Sequence, residues 1–330
     1  MRILVLGGTL FLSRAVAAEA VRRGHDVTCA CRGESGGVPE GATHLVVDRS
    51  QPLPDLGQES APYDAVVDVG RHPLRVRAAV AAVPDAHWVF VSTISVYSDN
   101  SVPAGRPGVT PEHEPIHEDR DLSVDMEAYG PMKVSCEQAV LDGAASALVI
   151  RPGLIIGPGD PSGRFTYWPL RLREGGEVLA PGTPDDTVQV IDVGDLADWI
   201  VDSCEQRRTG VLDGVGPVMR FGDLLEEVAT GVDAEPSFTW VDQAFLSEQE
   251  VQPWSGPDSL PLWLPRPEYD GMLAHDAELP RHAGLVTRSV ADSARATLAW
   301  AEADTDAART GISREREAAV LAAWRDRGTP

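Results

Sequence analysis

Basic residues are scarce in this chain. Lys and Arg number 28 against 51 Asp and Glu, which leaves a formal charge of −23 over 330 residues. A surface of that sign repels phosphate backbones and anionic headgroups, so it argues against nucleic-acid and membrane partners. Cysteine is also scarce: Cys29, Cys31, Cys136 and Cys204, with no C-x-x-C and no spaced second pair. That argues against a zinc site, and no metal is expected. Cys29 and Cys31 stand two apart in a strand-like run, where a disulfide would be strained. No apolar run approaches the length of a membrane span. A strand-like run directly behind Met1 leaves no room for a signal peptide. The expectation is a cytoplasmic protein with reduced thiols, either a monomer or a homodimer. No internal repeat or low-complexity segment stands out.

Hydrophobic residues make up 43%, enough for a sizeable core, and the length suits about two domains. Short apolar runs alternate with helical patterns through the first 150 residues. The strand candidates are 2–6, 26–30, 44–47, 64–69, 87–92 and 147–150; the helices between them include 11–24, 73–83 and 127–144. Continuous apolar strands alternating with helices predict an α/β protein, a Rossmann-type doubly wound parallel sheet covered on both faces. Residues 99–124 are polar and read as a surface excursion, and from Arg151 onward Gly and Pro become dense. The stretch "TVQVIDVGDLADWIV" (187–201) returns to strand and helix. The dinucleotide-binding domain is therefore expected over 1–156 with a return around 187–216. A smaller, interleaved C-terminal substrate domain takes 157–186 and 217–330.

The loop behind the first strand reads "GGTLFLSR". A dinucleotide loop of the G-x-x-G-x-x-G type needs glycines for the turn, for approach to pyrophosphate and for helix packing. Gly7 is present, but Leu10 and Ser13 hold the other two places. Pyrophosphate can still be held by backbone N–H groups at the helix start, Thr9 to Leu12 with Phe11 between, and Ser13 is small enough for packing. The second strand ends "TCACRGE", with Cys31 and Arg32 in place of the acid that binds ribose hydroxyls in NAD enzymes. A guanidinium there favours NADP(H), with NAD(H) as the alternative. Tyr129 and Lys133, four apart in "YGPMK", share one helix face. An ammonium near a phenol favours the phenolate, and such a pair can exchange a proton with a substrate oxygen while hydride moves. "FVSTIS" ends the fifth strand, where hydroxyls face the ligand crevice; Thr93 is the candidate partner of Tyr129, with Ser92 and Ser95 as rivals. Arg164 is a candidate clamp for a substrate anion, and Trp168 and Trp254 are candidate pocket walls. "HEPIH" (113–117) fits the H-E-x-x-H zinc pattern, but Pro115 and the preceding "TPEHEP" predict a loop.

Taken in order, "ILVLGGTLFLSR", "VDRS", "FVSTISVYSD", "YGPMK" and "VIRPGLIIGPGD" resemble the extended short-chain dehydrogenase/reductase superfamily, in its NAD-dependent epimerase/dehydratase branch, over residues 1–220. The resemblance implies a Ser/Thr–Tyr–Lys site on Thr93, Tyr129 and Lys133, with "VY" (Val96, Tyr97) selecting Thr93. It implies that Asp48 contacts adenine and that Pro152 to Leu154 border nicotinamide; Arg49, Val69 and Gly70, at corresponding strand ends, are counted with the cofactor contacts. Sugar-nucleotide dehydratases carry Asp-Glu after the catalytic Thr, where this chain has Ile94 and Ser95, which speaks against 4,6-dehydration. The expected activity is an NAD(P)-dependent reductase or dehydrogenase acting on a carbonyl or carbinol of a small molecule or sugar derivative. The alternatives are an epimerase working by transient oxidation and a non-catalytic dinucleotide-binding regulator.

Overall fold

The computed structural model describes residues 1–54, 56 and 61–328. Its first half runs β1 (Arg2–Leu6), α1 (Phe11–Arg22), β2 (Asp26–Cys31), β3 (Thr43–Val46), β4 (Ala65–Asp68), α2 (Pro73–Ala82), β5 (His87–Val91), α3 (Tyr129–Gly143) and β6 (Ser146–Pro152). These strands alternate between two apolar layers, as pleated strands must when both faces are covered. Ile3 and Val5 of β1 face one core cluster with Val16, Ala17 and Ala20 of α1. Leu4 and Leu6 face the other, with Val76 and Val80 of α2 and Cys136 and Val140 of α3. Helix α1 stops at Arg23, and Gly24 takes the left-handed turn behind it at φ +84°. Pro73 opens α2, where a missing N–H costs nothing.

The chain continues through β7 (Leu154–Ile156), α4 (Tyr167–Arg173), β8 (Glu177–Pro181), β9 (Thr187–Asp192), α5 (Val193–Glu205), β10 (Gly210–Gly214), β11 (Val218–Arg220), α6 (Phe221–Gly231) and β12 (Ser237–Val241). Among the described residues the main sheet has seven strands in the order β10-β6-β5-β4-β1-β2-β3, all parallel. The order reverses between β1 and β4, so the ligand crevice of this Rossmann-type sheet lies outside their carboxyl ends.

The return around 187–216 divides between two bodies. Helix α5 lies on the same face as α1, its Leu196, Trp199 and Ile200 joining that core, and β10 pairs with β6 as the seventh strand. Strand β9 instead sits between β7 and β11 in a three-stranded sheet. A separate core gathers α4, α6, β8, β12 and the helix Val290–Ala303 around Trp168 and Phe221. The excursion 99–124 is irregular, tied to the body by a bridge from Tyr97 to Glu112.

Candidate active site

The crevice begins with the loop after β1. Gly7 and Gly8 have φ of +139° and +106°, values an L side chain resists. A Cβ on Gly8 would lie 2.5 Å from Cys29 Sγ, so this glycine lets the loop lie against β2. Ser13, in the place of the third glycine, has a task of its own. Its hydroxyl accepts from Gly8 N (3.1 Å) and donates to Leu10 O (2.8 Å), stapling the loop to the first turn of α1. Leu10 offers α1 no side-chain cap and its side chain is exposed. The first-turn N–H groups therefore remain available to an anion, which is the fit a dinucleotide pyrophosphate requires.

Val69 stands at the end of β4, 3.6 Å from where a Gly7 Cβ would be, so the two loops of the switch point meet. Gly70 N donates to Asp68 Oδ1 (2.7 Å). Arg49 does not reach the site as expected. Its guanidinium makes a bidentate pair with the buried Asp68 at 2.7 and 2.8 Å and donates to Arg75 O. It is a brace that fixes the β4 loop from behind. Asp48 is half-buried; the backbone and hydroxyl of Ser50 hold its carboxyl below the usual range, helped by the charges of Arg32 and Arg75. Arg32 is exposed at the end of β2 and pairs with Glu34 at 3.1 Å. Cys31 beside it is half-buried, and its Sγ lies 3.5 Å from His44 Nε2.

At the end of β5, Thr93 caps a short turn over Ile94–Val96, accepting from Ser95 N and donating to Ser95 Oγ, both at 3.1 Å. Helix α3 starts at Tyr129, behind a turn capped by Asp125. Gly130 makes the meeting of these elements possible, because a Cβ there would collide with Ser95 O. The Thr93 hydroxyl is near enough to the Tyr129 phenol to act on its ionisation. Burial pushes the Tyr129 phenol up, and the nearby Thr93 hydroxyl and the charges of Arg71 and Arg164 pull against it. Lys133 departs from the expected arrangement. Its Nζ is sealed in the protein and donates to Gly70 O (2.7 Å) and Val91 O (2.6 Å), 4.4 Å above the Phe90 ring. Burial lowers its pKa to about 8. Lys133 thus ties α3 to the ends of β4 and β5, and its charge is directed at carbonyls.

The far wall comes from the segment after β7. A Cβ on Gly159 would touch the Phe11 ring at 3.7 Å, so this segment faces the first loop. Asp160 is buried; it accepts from Ser162 N and Ser162 Oγ, both at 2.8 Å, and Ser162 Oγ accepts from Arg164 Nε at 3.0 Å. The Arg164 guanidinium lies over the Trp254 ring at 4.4 Å. Trp168 is not part of this wall. It is fully buried in the second core, where its indole N–H donates to Pro261 O and Tyr167 and Phe221 meet it edge-on. A side chain without exposure cannot line a pocket. Pro152 ends β6 and Leu154 opens β7, both buried; Gly153 between them packs against Val215 and Ile94, next to Thr93. "HEPIH" is irregular backbone, and His117 Nδ1 is hydrogen-bonded to Ser135 Oγ at 3.0 Å. Elsewhere, a cavity of about 270 Å³ opens beside Asp192, Asp195 and Arg288, which already pair with one another.

Three features escaped the sequence reading: Arg71, Gly130 and the Ser13 staple. The available signal for Arg71 is its place, a cation just behind the fourth strand of a parallel sheet. A doubly wound parallel sheet with a glycine loop after β1 and a hydroxyl and a phenol behind β5 is a Rossmann-type fold with a candidate site at its switch point.

Residues 58–214 match the model of the NAD dependent epimerase/dehydratase family. The human epimerase family protein SDR39U1 is 26% identical over 235 residues, covering 66% of this chain and 75% of that protein. The Bordetella bronchiseptica enzyme WbmG, solved with NAD and UDP, superposes with a TM-score of 0.64 at 16% identity, over 92% of this chain and 95% of that one. The UDP-glucose 4-epimerase of Thermus thermophilus, solved with NAD, gives 0.59 at 18% identity, over 91% and 98%. The chain is thus similar to the NAD dependent epimerase/dehydratase family over residues 58–214.

Proposed function

We propose that this protein is an NAD(P)-dependent oxidoreductase acting on a carbonyl or carbinol of a small molecule, with Tyr129 as its acid/base. The observation that carries this reading is the close packing of the α3 start, with Tyr129, on the Thr93–Ser95 turn at the carboxyl end of β5, one strand from the β1/β4 switch point. A nicotinamide bound in the crevice supplies or accepts the hydride. Thr9 to Leu12 would hold its pyrophosphate on backbone N–H groups, and Arg32, released from Glu34, would pair with a 2′-phosphate, which favours NADP(H).

In the reducing direction the substrate oxygen takes the Tyr129 proton as its carbon takes hydride, and the phenolate is reprotonated from solvent. Thr93 would turn its one hydroxyl proton from Ser95 Oγ to the substrate oxygen. Arg71 and Arg164 favour the phenolate by charge, a role the sequence assigns to Lys133. Lys133 positions α3 and the Gly70 loop. No carboxylate follows Thr93, so a dehydratase path has no acid at that place.

Tyr129→Phe tests this. Positioned proton transfer contributes about 10²–10⁴-fold, so turnover should fall by that order on any ketone or sugar the wild type accepts, with dinucleotide affinity unchanged. Full activity in Tyr129→Phe removes Tyr129 from the reaction. Stoichiometric oxidation of added NADPH separates net reduction from epimerisation, in which the bound cofactor returns to its starting state.

A further inference from the structure

We propose that Arg164, lying over the Trp254 ring on the wall that faces the first loop, is the receptor for an anionic group of the substrate, a carboxylate or a phosphate. This rests on the reading that the substrate reacts at Tyr129.

Most arginines of this acidic chain are paired with carboxylates. Arg164 has no carboxylate within 4 Å among the described residues, and its only hydrogen-bond partner there is Ser162 Oγ, which accepts from Nε. Its two terminal nitrogens therefore have no acceptor in the described protein. They are also absent from the sealed polar atoms, so they remain reachable. The side chain is half-buried and is held from two sides, by the Asp160–Ser162 turn at Nε and by the indole face at 4.4 Å. A guanidinium fixed at Nε and on its face presents its outer edge, the geometry that takes a carboxylate or phosphate in two parallel bonds.

Trp254, which supplies the face, has φ of +70°. A bulky residue is strained there, and such strain gathers at ligand clamps. Arg71, exposed behind β4, also has no ion pair among the described residues, and its charge, like that of Arg164, acts on the Tyr129 phenol. Two cations without an ion pair among the described residues, in a chain with a net charge of −23, form a local attractor for an anion against a repelling surface.

The test uses the full chain with and without saturating NADPH, titrated with inorganic phosphate or succinate at constant ionic strength and followed by thermal unfolding and calorimetry. One of the two anions should raise the unfolding temperature of the wild type. Arg295→Gln, which removes the same charge from the surface, should respond like the wild type. Arg164→Gln should need at least tenfold more anion, and Arg164→Lys, which keeps charge without the fork, should fall between. NADPH affinity should stay within twofold in Arg164→Gln. Three results overturn the proposal: no response in the wild type, an equal response in Arg164→Gln, or a parallel loss of NADPH affinity, which would make Arg164 a clamp for the dinucleotide. Failure of the wild type to bind any dinucleotide is a separate result, which removes the oxidoreductase reading and leaves the anion response of the apo chain to be read alone.

Discussion

The two walls of the crevice are built on different principles. The wall from the seven-stranded sheet is held by backbone approach: Gly8 lies on Cys29, Gly130 lies on Ser95 O, and Lys133 bonds two carbonyls. There is no room in it for a methyl group. The opposite wall is held by side chains alone, in the sequence Asp160, Ser162, Arg164, Trp254. Changes in the first wall should destroy the site, whereas changes in the second should alter what it accepts.

The contrast can be broken at its stiffest point. Gly130→Val drives two methyl groups toward Ser95 and must part α3 from the Thr93 turn. Overpacking of this kind costs about 1–3 kcal/mol, and turnover should fall further than in Tyr129→Phe, because Thr93 and Tyr129 separate. A Gly130→Val protein with wild-type melting and turnover would show that the wall yields.

Cofactor choice is the next largest effect. Charge-assisted bonds are worth about 1.5–3 kcal/mol, so Arg32→Asp should weaken NADPH at least tenfold and spare NADH. Glu34→Gln, which frees Arg32 from its present partner, should tighten NADPH by a smaller factor. Equal changes for both dinucleotides would remove Arg32 from the site.

Lys133 sharpens the comparison through pH. Burial lowers its pKa from 10.5 to about 8. Between these values the unfolded chain still holds the proton that the folded chain has released, so this group makes stability rise with pH across that window. Buried Cys29, Cys136 and Cys204, raised to about 12, act in the opposite direction above their ordinary value near 9. The difference between wild type and Lys133→Met, measured by denaturant unfolding from pH 7 to 10.5, isolates the lysine and should grow in favour of the wild type as pH rises. A constant difference would mean that Lys133 titrates outside the window.

The smallest effect belongs to the second wall. Ser162→Ala removes the bond that fixes Arg164 Nε but leaves the guanidinium on the Trp254 face, and should raise KM severalfold with little change in kcat.

The sheet was legible because its strands are continuous apolar runs and its helices carry clear stops such as Gly24. The expected six strands appear where the runs lie. The seventh, "GVLDG", was missed because glycines at both ends and an aspartate leave almost no apolar signal; pairing with β6 makes it a strand. In the candidate site, spacing put forward Tyr129 and Lys133 and the resemblance put forward Thr93, but neither says what an ammonium bonds to. Arg49 failed for the same reason, since its partner Asp68 is distant in sequence. Trp168 and Trp254 read alike as aromatics in Gly/Pro-rich segments, and only packing separates the core residue from the one beneath Arg164.

The central claim is that the crevice between β1 and β4 holds a dinucleotide on the backbone of a loop with one of the three expected glycines. Calorimetric titration of the wild type with NADPH and NADH, repeated on Gly8→Val, tests it most directly. The wild type should bind one dinucleotide per chain, NADPH tighter than NADH, and Gly8→Val should lose both. No binding of either at millimolar concentration, or unchanged binding in Gly8→Val, would contradict it.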